Sequence, residues 1–219
     1  MESPLYELAP AELKVIETLR WESGGKSEGG FCRLARHLAR AERTCASLHI
    51  AFDRAACEAA LSGAVEAAPA PSLRCRLTLD RQGQIEVTAA PLRSAPVRWR
   101  ATVSSARLAA EDPWLRVKTT QRRLYNDTRA ALPAGIDEVI FLNRADEVCE
   151  GTITNIFARL DEKLVTPPLA CGLLPGILRE ELLETGAAEE RRLSLDELRA
   201  AEALFLGNSL RGLIPAELA

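Results

Sequence analysis

Residues 73–80, Leu-Arg-Cys-Arg-Leu-Thr-Leu-Asp, constrain the fold more than any other stretch. They run through Arg-Gln-Gly-Gln into Ile-Glu-Val-Thr-Ala-Ala-Pro-Leu. Leu73, Cys75, Leu77 and Leu79 alternate with Arg74, Arg76 and Thr78. A period of two puts the first set on a buried face and the second toward water. A short glycine-containing connection between two such runs predicts an antiparallel hairpin.

The segments before this hairpin supply strand and helix. Val15 to Trp21, VIETLRW, reads as a strand, closed by the turn SGGKSEGG and returning through Phe31. A helix follows over about Arg33 to Leu48, with Leu34, Leu38, Ala41, Cys45 and Leu48 as its buried stripe. Arg33, Arg36, His37, Arg40, Arg43 and Ser47 lie on other sides and read as a solvated basic face. A second helix runs from about Asp53 to Glu66, with Asp53 suited to the N-cap. Ala68 to Ser72, APAPS, is a stiff connector. After the hairpin, PLRSAPVRWRATVSS reads as an extended, edge-like segment, because proline cannot donate to a sheet ladder.

These patterns predict an α+β domain over residues 1–105, a crossover over 106–117 and a second α+β domain over 118–219. In the second, a helix is expected from about Thr119 to Ala131, stopped by Pro133. IDEVIFLN and VCEGTITNIFARL form a hairpin around NRADE, and LVTPPL adds a third strand. Pro175 sits well at the first position of a helix reaching Glu184. A short strand ERRLS, a helix from Ser194 or Asp196 to Ala203, and a last strand ALFLGNS running into RGLIPAEL complete the pattern.

The totals exclude several function classes. A length of 219 residues suits about one or two domains. The net charge of −3 supplies no basic field, so nucleic acid is not an expected partner. No apolar run approaches the ~18 residues that span a bilayer. The stretch MESPLYELAP lacks the basic and apolar regions of a secretory signal. Cys32, Cys45, Cys57, Cys75, Cys149 and Cys171 form no CxxC pair, and only His37 and His49 could join them. No metal site is therefore expected. Reduced thiols and a cytoplasmic location are the expectation.

Four lysines are present: Lys14, Lys26, Lys118 and Lys163. Lys14 precedes a strand, Lys26 lies in the Gly/Ser turn and Lys163 in the turn DEKL. Lys118, in the crossover sequence RVKTTQRR, is left as the best candidate for a Schiff base with an aldehyde cofactor. By pattern alone it also reads as a surface lysine. Glu150, beside Gly151 in a strand-like run, marks a close ligand approach or a bulge, or else is an outward-facing strand glutamate. Gly172 and Gly176 flank a helix start, a natural anion site. Asn208 and Ser209 could add donors there or form an ordinary turn. No GxxxxGK[ST] loop occurs, and the GxSxG string at Gly25 to Gly29 falls in the Gly/Ser turn, not at an expected strand-to-helix elbow.

Four motifs in order are KTTQR (Lys118 to Arg122), EGT with NIF (Glu150 to Phe157), LPGILR (Leu174 to Arg179) and NSLRG (Asn208 to Gly212). Together they resemble the fold-type IV pyridoxal phosphate family, which includes branched-chain and D-amino acid aminotransferases and 4-amino-4-deoxychorismate lyase. KTTxR and NSLRG are most similar to the lyase branch. The resemblance extends from IETLRW and RLARHLAR onward, over nearly the whole chain.

The resemblance implies a two-domain α+β fold with cofactor in the interdomain cleft, pyridoxal 5'-phosphate as that cofactor, an amino-acid-like substrate and a homodimer. It implies Lys118 as the Schiff-base lysine that also moves the Cα proton, and Glu150 as the carboxylate facing the pyridine nitrogen. Arg40 matches the phosphate-binding arginine, the N–H groups of Ile177 and Leu178 the phosphate cup, and Ser209 a further phosphate contact. Thr18, Arg122 and Arg211 are candidates on the substrate side. The reaction implied is cleavage of 4-amino-4-deoxychorismate to 4-aminobenzoate and pyruvate, a folate precursor step. An amino-acid transaminase and a non-catalytic dimeric paralogue are the alternatives. Three departures stand out. Only a short lead precedes VIETLRW, Leu178 stands where aminotransferases often have threonine, and Arg123 stands where branched-chain enzymes tend to place tyrosine.

Overall fold

A computed structural model describes residues 4–24, 29–94 and 96–219. The Gly/Ser turn that holds Lys26 lies at 25–28, outside the described residues. The chain forms two compact units. The first comprises Met1–Ser94 and the short return Lys118–Gln121, and the second Ala95–Val117 and Arg122–Ala219. The domain limits expected at residues 105 and 118 differ from these. Residues 96–105 group with the second unit, and Lys118 groups with the first.

In the first unit, α1 (Pro4–Glu7) precedes β1 (Val15–Glu22) and β2 (Gly30–Phe31). Then come α2 (Leu34–Ser47), α3 (Arg54–Glu66), β3 (Ser72–Leu79) and β4 (Ile85–Pro91). The sheet order is β2-β1-β3-β4, antiparallel throughout, with Leu19 opposite Cys75 and Leu77 opposite Val87. The alternation in β3 has the predicted result: Leu73, Cys75, Leu77 and Leu79 are all fully buried. Helix α2 packs on β1, and α3 on β3 and β4. Asp53 caps α3 by accepting from the Ala56 amide at 3.0 Å. Each buried leucine of this layer contributes about 1.5–3 kcal/mol of apolar transfer.

One expectation fails on α2. His37 and Arg40 are 1% and 5% exposed, so the face read as solvated is partly core. Burial there follows from a partner on β1 that helical periodicity does not show.

The second unit contains β5 (Trp99–Leu108), α4 (Arg123–Ala130), β6 (Glu138–Asn143), β7 (Val148–Gly151) and β8 (Asn155–Leu160). It continues with β9 (Lys163–Thr166), α5 (Ile177–Glu184), β10 (Glu189–Glu190), α6 (Leu195–Ala200), β11 (Ala203–Asn208) and β12 (Gly212–Leu218). The strand order is β10-β9-β8-β11-β12-β5-β6-β7. β7 also pairs with β8, through Glu150 opposite Asn155, and this closes the run from β8 to β7 on itself. Ala101, Ile140, Leu142, Val148, Ile156 and Leu206 fill its core. Ser194 begins α6 with a capping box closed by Glu197.

Several expectations are corrected here. The segment read as an edge is β5, an interior strand parallel to both β12 and β6. Its prolines lie ahead of Trp99 and do not interrupt the ladder. RGLIPAEL is a strand of its own, β12, rather than a tail. VCEGTITNIFARL is two strands, β7 and β8, separated by the turn 152–154. The helix expected from Thr119 begins at Arg123, because Lys118–Gln121 pairs with β1 instead. Pro175 precedes the N-cap of α5, which is Gly176. Among the described residues, no helix is long and apolar enough to cross a membrane, and no group of three or more His, Cys, Asp or Glu could hold a metal ion.

Candidate active site

Lys118 lies on a strap bound to β1. The Ile16 amide donates to the Lys118 carbonyl at 2.8 Å, and the Thr120 amide donates to the Lys14 carbonyl at 2.9 Å. The Lys14 amide donates to Thr120 Oγ1 at 2.9 Å, and Val15 bridges Thr119. Thr119 is 2% exposed. A lysine whose backbone is paired on both sides of its carbonyl starts from a fixed origin, which a loop lysine lacks. Its side chain is half-buried. Thr18, the substrate-side candidate, is also half-buried and lies farther along β1, opposite Arg76.

The same strand carries Glu17, which is fully buried. Arg40 on α2 donates to it through Nε at 2.8 Å and Nη2 at 2.7 Å. His37 Nδ1 lies 2.7 Å from Glu17 Oε2. Burial alone would raise the Glu17 carboxyl, but the Arg40 charge, the Arg40 hydrogen bonds and His37 together bring it down to about 2. The candidate phosphate arginine is thus held by a two-point, charge-assisted contact. Neither Glu17 nor His37 was singled out from the sequence. The available signal was parity: Glu17 shares the face of Val15 and Leu19 in an otherwise apolar strand.

In the second unit, Glu150 is 7% exposed on β7. The Tyr125 hydroxyl donates to its Oε1 at 2.7 Å, and the Leu174 amide donates to its Oε2 at 3.1 Å. The outward-facing strand reading of Glu150 is therefore not what the fold adopts. Burial first, then the Glu150 charge, pushes the Tyr125 hydroxyl above the usual tyrosine range, so it stays a donor. Arg122 lies over the Tyr125 ring at 5.3 Å and donates through Nη2 to the Thr152 carbonyl. Burial holds its guanidinium below the ordinary arginine value, opposed by Glu150 and Tyr125. Its Nε is buried without a hydrogen-bond partner among the described residues.

Glu138 fixes the turn that follows Glu150. This fully buried carboxylate accepts from the amides of Val139 (3.0 Å), Thr152 (2.9 Å) and Ile153 (3.2 Å). It also accepts from Thr154 Oγ1 at 3.0 Å and from Thr152 Oγ1, and pairs with Arg129 at 3.5 Å. A Cβ on Gly151 would lie 2.8 Å from the Glu138 carboxyl carbon, so glycine is required for this approach. Of the readings of Glu150-Gly151, the bulge is present as a register shift between β6 and β7, and the group that approaches Gly151 is the Glu138 carboxylate.

Helix α5 starts against the same strands. Its N-cap is Gly176, and among the described residues no side chain caps this end. The Ile177 and Leu178 amides lie ahead of the first intrahelical bond, from Glu180 N to Gly176 O at 2.8 Å. A Cβ at Gly176 would come within 1.8 Å of Asn155 Oδ1, whose amide nitrogen donates to the Leu174 carbonyl at 3.0 Å. Ser209, 8% exposed, lies in the turn between β11 and β12. That turn is closed by the Arg211 amide donating to Asn208 Oδ1 at 2.9 Å, and Asn208 Nδ2 reaches the Ile153 carbonyl at 3.4 Å. Turns 152–154 and 208–211 are therefore linked. A helix start that no side chain caps suits an anionic group, and a buried, oriented carboxylate suits a cationic nitrogen.

The profile of the family described as amino-transferase class IV matches residues 14–218. The chain is 36% identical over 83 residues to the Thermotoga maritima protein named a probable branched-chain-amino-acid aminotransferase, covering 36% of this chain and 30% of that one. It is 30% identical over 137 residues to the Saccharomyces cerevisiae aminodeoxychorismate lyase, covering 54% of this chain and 36% of the yeast protein. The chain thus spans about a third of the length of these curated relatives. A crystal structure from Mesorhizobium loti, named as a candidate amino-acid aminotransferase, superposes with a TM-score of 0.88 at 43% identity, over 95% of this chain and 100% of that one.

Proposed function

The chain belongs to the class IV aminotransferase family, whose enzymes depend on pyridoxal phosphate, and from that premise we propose that it cleaves 4-amino-4-deoxychorismate to 4-aminobenzoate and pyruvate. The observation that carries the cofactor reading is Glu150: a buried carboxylate with each oxygen held by a donor, Tyr125 Oη and Leu174 N. The residues fit the group on a second count, since Gly176 leaves the start of α5 without a side chain. The lyase is supported over other family chemistries by the longer of the two curated matches, to the yeast aminodeoxychorismate lyase.

Bound pyridoxal phosphate supplies an aldehyde for the substrate amine and a ring that accepts the electron pair left when a proton leaves the neighbouring carbon. Lys118 would hold the cofactor through its amine and would take the proton from the carbon bearing the substrate amine. Loss of that proton would let the enolpyruvyl C–O bond break with aromatisation of the substrate ring, and the departing enolate would take up a proton at carbon to give pyruvate. Glu150 would hold a proton at the pyridine nitrogen, which would strengthen the ring as an electron acceptor. By the resemblance, Arg40, the Ile177 and Leu178 amides and Ser209 would hold the phosphate. Thr18, Arg122 and Arg211 are assigned to the substrate side, Arg122 behind the 152–154 turn through its bond to the Thr152 carbonyl. We place the protein in the cytoplasm, the reading its scattered cysteines support, and take the working form as a homodimer, as the resemblance implies.

An amino-acid transaminase is the second reading, favoured by the 43%-identical Mesorhizobium loti structure. Purified protein incubated with 4-amino-4-deoxychorismate and no keto acid tests the two. Release of 4-aminobenzoate and pyruvate in equal amounts supports the lyase. Turnover that needs a keto-acid acceptor sinks it in favour of the transaminase. Borohydride reduction should attach the cofactor covalently to wild type and leave Lys118→Ala unlabelled. Labelling of both would remove Lys118 from its role.

A further inference from the structure

Strand β1 does two jobs in the first unit. Its backbone holds the Lys118 carbonyl through the Ile16 amide at 2.8 Å. The next residue, Glu17, holds Arg40 through two hydrogen bonds at 2.8 and 2.7 Å. We propose that Glu17 is a positioning residue, tying the Arg40 guanidinium to the strand that carries Lys118. One rigid piece then sets both the cation for a cofactor's phosphate and the amine for its aldehyde. The inference rests on the cofactor reading above and adds a residue that the motifs do not name.

Stability does not explain this cluster. Glu17, His37 and Arg40 are all nearly inaccessible, at 0%, 1% and 5%. Removing charged groups from water is costly, and apolar residues of like volume typically do as well or better. What the ion pair supplies is direction. A guanidinium is a planar fork on a long flexible stem. Engaging Nε and Nη2 on one carboxylate fixes both the plane and its rotation. Because Glu17 lies opposite Leu77 of β3, and its neighbour Ile16 holds the Lys118 strap on the other edge of β1, the anchor itself is rigid. A phosphate and an aldehyde on one small molecule are a fixed distance apart, so errors in either anchor lower affinity for the whole. The bland alternative is an ion pair that only supports the α2–β1 packing. It predicts no dependence on the phosphate.

The full-length apo protein is titrated with pyridoxal phosphate and, separately, with pyridoxal, which lacks the phosphate. Wild type, Glu17→Gln, Glu17→Asp, Arg40→Met and Glu17→Gln/Arg40→Met are compared, with folding checked by circular dichroism. Glu17→Gln is expected to weaken pyridoxal phosphate about tenfold, the size of one lost charge-assisted contact. Its effect on pyridoxal should be under about twofold. The double variant should be no weaker than Arg40→Met alone, because both changes remove one arrangement. Should Glu17→Gln not fold, Glu17→Asp keeps the charge but withdraws the carboxylate, and should show the same split between the two compounds. Equal weakening of both compounds, no weakening of either, or full additivity with Arg40→Met overturns the proposal. Wild type binding neither compound overturns the cofactor reading itself and this inference with it.

Discussion

The Tyr125 hydroxyl donates to Glu150 Oε1 over 2.7 Å, and so joins the first turns of α4 to the carboxylate of β7. A hydrogen bond to an ionised group contributes about 1.5–3 kcal/mol. Tyr125→Phe should therefore lower unfolding free energy by roughly 1–2 kcal/mol in a denaturant titration. The hydroxyl should also resist ionisation. Of the chain's two tyrosines, Tyr125 should add nothing to the ultraviolet phenolate signal within the usual tyrosine range. Burial is the larger cause and Glu150 the second. Glu150→Gln should thus bring the Tyr125 transition down without returning it to normal. A fully normal transition in that variant would mean that the charge dominates instead.

Glu138 predicts a larger loss. It is the acceptor for the whole 152–154 turn and the partner of Arg129. Removing this buried carboxylate leaves several turn donors unsatisfied, at about 1–3 kcal/mol each, while Arg129, its side chain 36% exposed, can turn to water. Glu138→Ala should lose stability of that order. Amide exchange at Thr152 and Ile153 should accelerate before the rest of β7 and β8. Uniform acceleration across the sheet would show that Glu138 supports the whole unit and not this turn.

How much of this was legible in the sequence depends on the range of the interactions. The β3–β4 hairpin, the Asp53 cap and the Ser194 helix start were readable because each is set by neighbours within a few residues. The central position of β5 was not. Its partners, β6 and β12, are parallel and distant, and parallel pairing leaves no turn signal. Lys118 was found by elimination and by resemblance, but its place was misjudged. A bridge from Val15 to Thr119 overrode the helical tendency of the residues after it. Arg40 was misread by periodicity, since a charge on a helix counts as solvated until its partner is known. That partner, Glu17, was visible only as a charge on the apolar face of a strand. Tyr125 and Glu138 gave less still, because their roles arise from contacts across the closed sheet of the second unit.

Gly176 offers a test that separates space from charge. A Cβ there would meet Asn155 Oδ1 at 1.8 Å, far inside contact distance. Gly176→Ala must displace Asn155 and break its 3.0 Å bond to the Leu174 carbonyl. Leu174 also supplies the amide bonded to Glu150. Overpacking of this kind costs about 1–3 kcal/mol. The variant should bind pyridoxal phosphate at least about tenfold more weakly, which corresponds to about 1.4 kcal/mol. Fluorescence titration reads the affinity, and thermal unfolding reads the stability. Unchanged affinity alongside reduced stability would remove the start of α5 from the phosphate site.

The acid limb of stability should report Glu17. Its carboxyl falls from 4.5 to about 2 in the folded chain. A depressed folded value means that the native state favours the charged form. The stabilisation is complete above about pH 5 and is lost as pH falls toward 2. A shift of this size corresponds to roughly 3 kcal/mol. Chemical denaturation of wild type at a series of pH values between 6 and 2 should therefore show a steeper fall than Glu17→Gln, which has no proton to take up at that position. The two curves should converge toward the acid end, because the wild-type carboxyl loses its charge as pH approaches its folded value of about 2. Parallel curves across the whole window would mean that Glu17 titrates alike in the folded and unfolded chains. The bidentate hold on Arg40 would then contribute no linkage to folding.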